Sequence, residues 1–213
     1  INRNSQWLNK PTLFKHDIKY LSKSARSNFI ISNNYMKEIK NQSDYSDTKQ
    51  VKLNTAKNYL HQALKIYPDF DDALISLGII QYKYLNNSDS AAYVLQKVNK
   101  SNSFSYSRAQ ELLGDIYYIN YKKSKEAVSY YRTGFNYTPK NKTLYMKIMQ
   151  VYFENNEYDT IISFAKNAII NNWVEGYIDR CDAKKKKKDT ATAVIDYEQA
   201  LLKGYNKPLL FDI

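Results

Sequence analysis

The sequence predicts an all-α chain built as an array of helical hairpins, an α-solenoid, and three observations carry that expectation. First, Ala56, Leu60, Ala63 and Pro68 are spaced by four, three and five residues. The spacing returns at Ala91, Leu95, Val98 and Ser103, and again at Ala127, Tyr131, Gly134 and Pro139. Second, a Leu-Gly pair stands ahead of each of the later two sets, Leu77-Gly78 and Leu113-Gly114. A recurrence every 35 or 36 residues marks one supersecondary unit stacked on itself. Third, four prolines and five glycines in 213 residues leave few chain-breaking points, which suits helices joined by short turns.

Residues 1–24 precede the first repeat. Pro11 suits the first turn of a helix, where its missing N–H is not needed. Phe14, Ile18 and Leu21 then share one helical face. The expectation is a capping helix or juxtamembrane linker that covers the apolar end of the array. The array itself spans 25–205 as about five repeats, at about 25–68, 71–103, 107–139, 142–173 and 174–205, followed by a tail at 206–213. In the first repeat a helix over Ala25–Glu38 and another from about Lys49 to Tyr67 flank a polar insertion, Asn41–Asp47. Asp71-Asp72 opens the second repeat, where carboxylates suit the positive end of a helix dipole, and Asn86-Asn87-Ser88 is its internal turn. The third begins at Ser107. The fourth has Met149 where Gly78 and Gly114 stand earlier, a turn at Asn155-Asn156, and Ile161, Ala165 and Ala168 on its second helix. In the fifth, Ala193, Tyr197, Ala200 and Tyr205 restore the spacing. Twelve residues before Ala193, the offset between Met149 and Ile161, stands Cys181. A lone cysteine at a small-residue crossing behaves as a packed hydrophobe.

Leu77-Gly78, Leu113-Gly114 with Tyr117, Ala56, Ala91, Ala127, Tyr131, Ala193, Tyr197, Pro68 and Pro139 together resemble the tetratricopeptide repeat family, whose hairpins run about 34 residues. The departures are Ser32, Met149 and Cys181 for Gly, Val98 and Gly134 for Ala, and Ser103 and Trp173 for Pro. The resemblance implies a right-handed superhelix whose first helices line a groove that binds a peptide or another protein. A shorter stretch, Trp7-Leu8-Asn9, Leu13-Phe14, Asp17 and Ser24-Ala25, resembles the junction in multi-spanning glycosyltransferase-like or O-mannosyltransferase-like membrane proteins that carry such repeats outside the cytoplasm. That second resemblance implies a non-catalytic domain presenting an acceptor polypeptide, placed on the periplasmic face of a membrane. The alternative placement is cytoplasmic. The chain starts at Ile1 and reads as a piece of something longer.

Composition narrows the classes. Hydrophobic residues at 43% exclude a disordered chain. A formal net charge of +11 favours an anionic partner or surface. One cysteine rules out an internal disulfide. No run of about 18 apolar residues is present to span a bilayer. The two histidines, His16 and His61, have no accompanying nucleophile, phosphate loop or metal-ligand cluster. The reading therefore expects no catalytic residues, no metal and no cofactor. It carries no signal for oligomeric state.

Helical phase nominates an interaction groove. Positions three before, one after and four after the small crossing residue should face it. They supply Phe29, Asn33 and Met36; Ile75, Ile79 and Tyr82; Glu111, Asp115 and Tyr118; and Met146, Gln150 and Phe153, with Arg108 one turn before Glu111. Tyr82, Tyr118 and Phe153 would form an aromatic ladder suited to anchoring a protein or peptide ligand. The candidate ligand residues are Phe29, Asn33, Tyr82, Arg108, Tyr118 and Phe153. Lys184, Lys185, Lys186, Lys187 and Lys188 are the candidate contact for an anionic membrane surface. Nucleic acid is disfavoured, because Glu111, Asp115 and Glu154 would repel phosphate and no aromatic-interleaved basic stripe exists.

Overall fold

The computed structural model describes residues 23–40 and 47–207. All regular elements among them are helical, and the fold is an all-α helical-repeat solenoid. The N-terminal helix expected within 1–24, most of the insertion at 41–47 and the tail beyond Lys207 lie outside the described residues. The chain packs as two compact units, one up to Tyr121 and one from Lys122 onward. The sequence reading treats 25–205 as one array.

In the first unit, α1 (Ala25–Lys40) packs on α2 (Asp47–Ile66), and α3 (Asp71–Ile79) follows. Ile39, Leu53, Ala56, Leu60, Ala63 and Leu77 join them in one buried cluster. α4 (Ser88–Leu95) returns along α3, and α5 (Ser103–Asp115) packs beside α3. The close crossing that Gly78 permits is visible: a Cβ there would lie 2.7 Å from Leu95 Cγ. Ser103 is a correction to the sequence reading, which makes it the end of the second repeat. It is the first residue of α5, because Asn102 caps that helix by accepting from the Ser105 N–H at 3.1 Å. α4 is correspondingly short, and tighter turns at Lys97 and Val98 take the chain to the next helix.

The second unit contains α6 (Ser124–Tyr137), α7 (Lys142–Glu154), α8 (Tyr158–Phe164), α9 (Lys166–Ile170), α10 (Glu175–Lys186) and α11 (Thr190–Leu202). Its core is aromatic. The Phe164 ring sits 5.5 Å from Phe135, 5.8 Å from Tyr145 and 6.1 Å from Tyr152, and Trp173 lies 5.8 Å from Tyr145. The expected single second helix of the fourth repeat is two short helices that meet at the buried Ala165. Gly176 lets α10 start directly against them. A Cβ on it would stand 2.8 Å from the Ala168 Cβ and from the Ile169 backbone nitrogen.

Two features have no counterpart in the sequence reading. Ile80–Tyr84 and Ile116–Asn120 continue α3 and α5 as wider π-helical turns, seen in the Leu85 N–H to Ile80 carbonyl bond and the Tyr121 N–H to Ile116 carbonyl bond. The cause is one extra residue in each. Gly78 to Ala91 and Gly114 to Ala127 are thirteen residues apart, whereas Met149 to Ile161 and Cys181 to Ala193 are twelve. In all four stretches the turn between helices is made by a left-handed residue: Asn86, Lys122, Asn156 and Lys188 at φ 50°, 56°, 57° and 62°. The turn is retained, so the extra residue is absorbed before it. Absorption as a π turn keeps the backbone groups bonded.

These observations make three predictions. Deleting the exposed Lys83 removes the extra residue and leaves a cooperative melt with Tm within about 5 °C of the parent. Deleting Glu154, from a stretch with no residue to spare, lowers Tm by more than about 10 °C, both read by circular dichroism. Gly176→Ala faces backbone atoms that cannot rotate aside. Despite a gain of up to about 1 kcal/mol in helix propensity, it destabilises the chain by about 2 kcal/mol in denaturant titration.

Candidate functional site

The candidate face lies in the first unit, on α1, α3 and α5. Four positions predicted to face a groove there, Ile79, Tyr82, Asp115 and Tyr118, are all half-buried. Tyr82 and Tyr118 occupy the same place in the two π turns, four residues after Gly78 and Gly114 respectively. The Tyr82 phenol is held above its ordinary pKa by burial and by the negative charge of Asp115. The tyrosine of one repeat therefore lies near the carboxylate of the next. Arg108 is exposed, and its Nη1 donates to the Glu111 carboxylate at 3.0 Å. Glu111 is buried, at 6% exposure, so this pairing is what allows it there. The end of the α5 π turn is tied down by Tyr121, whose hydroxyl donates to Asp89 at the start of α4 and whose ring meets Tyr117 edge-on at 5.1 Å.

The other nominated residues are placed differently. Asn33 is half-buried on α1. The Phe29 ring lies 5.1 Å from Phe70, just ahead of α3, and carries the Arg26 guanidinium at 5.6 Å. Arg26 in turn pairs with Asp72 at 3.6 Å. Phe29 thus joins its own hairpin to the next, a packing contact where the sequence reading has a ligand anchor. Phe153 is half-buried on α7, in the second unit. Of the ladder, Tyr82 and Tyr118 share a unit.

The lysine run is unevenly placed: Lys184 and Lys185 are half-buried, and Lys186, Lys187 and Lys188 are exposed. The five side chains do not present one common face. Lys184 turns to Asp196 at 2.8 Å and to the Thr192 carbonyl at 3.3 Å. Arg180 grips the same carboxylate with its Nε at 3.0 and 2.9 Å, and Asp196 is 1% exposed. Two cations on α10 and one buried carboxylate on α11 therefore clamp the last hairpin. Lys187 pairs with Asp159, and Lys185 and Lys186 have contacts of their own. Lys188 is the left-handed residue of the turn, with its N–H bonded to the Lys185 carbonyl at 2.8 Å. The Cys181 thiol is buried and pushed above its ordinary pKa by that burial, in keeping with a packed residue.

A second pair, the buried Tyr145 and the half-buried Asp179, lies between α7 and α10. The Tyr145 hydroxyl donates to Asp179 Oδ2 at 2.6 Å. Burial raises the Asp179 carboxyl to about 6; the Tyr145 hydrogen bond opposes the shift, and the charges of Asp182 and Glu175 add to it. Lys142 offsets Glu175 at 2.7 Å. The folded chain holds the Asp179 proton more tightly than the unfolded chain does. This group therefore favours folding below about pH 4, and the contribution is lost as pH rises through about 6. Asp179→Asn keeps an acceptor for Tyr145 and removes the titration. The expected result is a smaller fall in Tm between pH 5 and 7.5 than in the parent, and equal or greater stability at pH 7.5, by up to about 2 kcal/mol.

Among the described residues, no group of three or more His, Cys, Asp or Glu side chains is placed to hold a metal ion. None of their helices is long and apolar enough to cross a membrane. No family model and no curated protein matches the sequence. Solved structures do match. The chain is similar to PilF of Pseudomonas aeruginosa at 15% identity and TM-score 0.63, covering 90% of this chain and 82% of that one. It is similar to YrrB, described as a TPR protein with an unusual peptide-binding site, at 11% identity and TM-score 0.59, covering 90% and 92%. It is similar to MamA at 20% identity and TM-score 0.55, covering 84% and 97%. At these identities the likeness is one of fold, and the fold is that of the tetratricopeptide-repeat proteins.

Proposed function

We propose that the chain is a non-catalytic scaffold that binds a protein or an extended peptide, and that the α1, α3 and α5 face of the first unit receives it. The observation that carries the reading is the pair Tyr82 and Tyr118. They stand at equivalent points of consecutive repeats, half-exposed, on turns of the same unusual geometry. A repeated aromatic anchor suits a ligand that runs across repeats, because a tyrosine offers large contact area at low entropic loss and a polar tip. Asp115 stands near Tyr82, and the Arg108–Glu111 pair lies earlier on the same helix as Asp115; charge of both signs on that helix favours a polypeptide over a polyanion. The fold shared with tetratricopeptide-repeat proteins, one of them described as peptide-binding, supports the same reading.

The test needs no knowledge of the natural partner. Peptides are selected from a displayed library on the parent chain, and their affinities are then measured against Tyr82→Ala/Tyr118→Ala. The double variant is expected to weaken capture by about tenfold or more, with the far-ultraviolet circular dichroism unchanged. Equal binding by parent and double variant would remove the face from the reading.

A further inference from the structure

A depression of about 350 Å³ runs along one face of α6 in the second unit, lined by Lys125, Val128, Ser129, Arg132, Thr133 and Asn136. The lining holds two cations and no carboxylate. Arg132 is held in position from below: its Nη1 lies 3.4 Å from the Tyr152 hydroxyl, and its guanidinium sits 5.9 Å from the centre of the Phe164 ring. Both supports belong to the aromatic core of the unit, so the cation is presented with little freedom left to lose. Lys125 stands seven residues earlier, two helical turns or about 10 Å along the axis. Three residues of extended chain, at about 3.3 Å each, cover the same span.

We infer that this face binds an extended acidic peptide segment, with Lys125 and Arg132 each receiving one of two carboxylates three residues apart. Ser129, between the cations along the helix, and Thr133 and Asn136, beyond Arg132, offer neutral donors and acceptors to the peptide backbone. The Thr133 hydroxyl donates to the Ser129 carbonyl at 2.8 Å, so its oxygen is oriented to accept. Val128 is nearly buried and forms an apolar floor. The same lining speaks against other anions of large size. It has no aromatic ring on which a base could stack and no exposed apolar side chain to enter a bilayer. This face is separate from the tyrosine face of the first unit and does not depend on it.

The test is fluorescence anisotropy at low ionic strength, using the 213-residue chain and a labelled Gly/Ser peptide with glutamate at every third position. A glutamine version of the peptide is the control. The glutamate peptide is expected to bind at least about tenfold more tightly than its control. Lys125→Gln and Arg132→Gln are each expected to weaken it about three- to tenfold, while Lys185→Gln leaves it unchanged. Arg132 packs on the core, so thermal melts accompany its variant, and the exposed Lys125→Gln decides alone if Arg132→Gln disturbs folding. Equal binding of the two peptides, or equal losses from Lys125→Gln and Lys185→Gln, would overturn the inference. So would a chain that ignores the peptide but binds duplex DNA or anionic vesicles through these two residues.

Discussion

The structure depends on how closely paired helices can approach. Ala56, Ala63, Ala73, Ala91, Ala127, Ala165, Ala168, Ala193 and Ala200 are all fully buried, and Gly78 and Gly176 stand where even a methyl group would collide. Small residues bring helix axes together until the larger neighbours, Leu60, Leu95 and Tyr131, fill the flanks of each crossing. A single hairpin held this way has little core of its own. It gains stability by laying its second apolar face on the next hairpin, and for that reason the pattern must recur to be stable at all.

Close packing also decides what becomes of the positive charge. A net +11 read from the sequence suggests a broadly cationic surface, but several cations are committed to buried carboxylates. Arg180 and Lys184 neutralise the buried Asp196, and Arg108 neutralises Glu111; Lys187 meets Asp159 at the surface. Removing a partner from a buried carboxylate leaves an uncompensated charge, which is far more damaging than losing a surface pair. Within the lysine run at the end of α10, Lys184 is therefore first a structural residue. The cations of α6, by contrast, line an open depression.

The repeat was legible because small and large residues at a fixed helical period report directly on which side of a helix is buried. The same phase placed Tyr82 and Tyr118 on a half-exposed face. Helix ends were less legible, since Asn102 as a cap outweighs the periodicity that puts a repeat end at Ser103. The contact of Phe29 with Phe70 gave no signal for a different reason: Phe70 comes from the loop ahead of the next helix, and helical phase carries no information about such a contact. Asp196 gave no signal either, because its partners Arg180 and Lys184 lie across a turn on another helix.

The π turns follow from the same packing constraint. An added residue between Gly78 and Ala91 could lengthen the loop, shift the second helix by one position, or swell the first helix. A shift would rotate Ala91 out of the crossing and push a larger side chain in, and a longer loop would abandon the left-handed Asn86 that reverses the chain. Swelling the helix preserves both, and it bonds each backbone group to the carbonyl one residue further back. The repeat thus accommodates its extra residue where packing is least demanding, at the open end of the first helix. Tyr82 is carried on that widened turn, and Tyr118 is carried on its counterpart 36 residues later. The geometry that protects the crossing is also the geometry that presents the aromatic face.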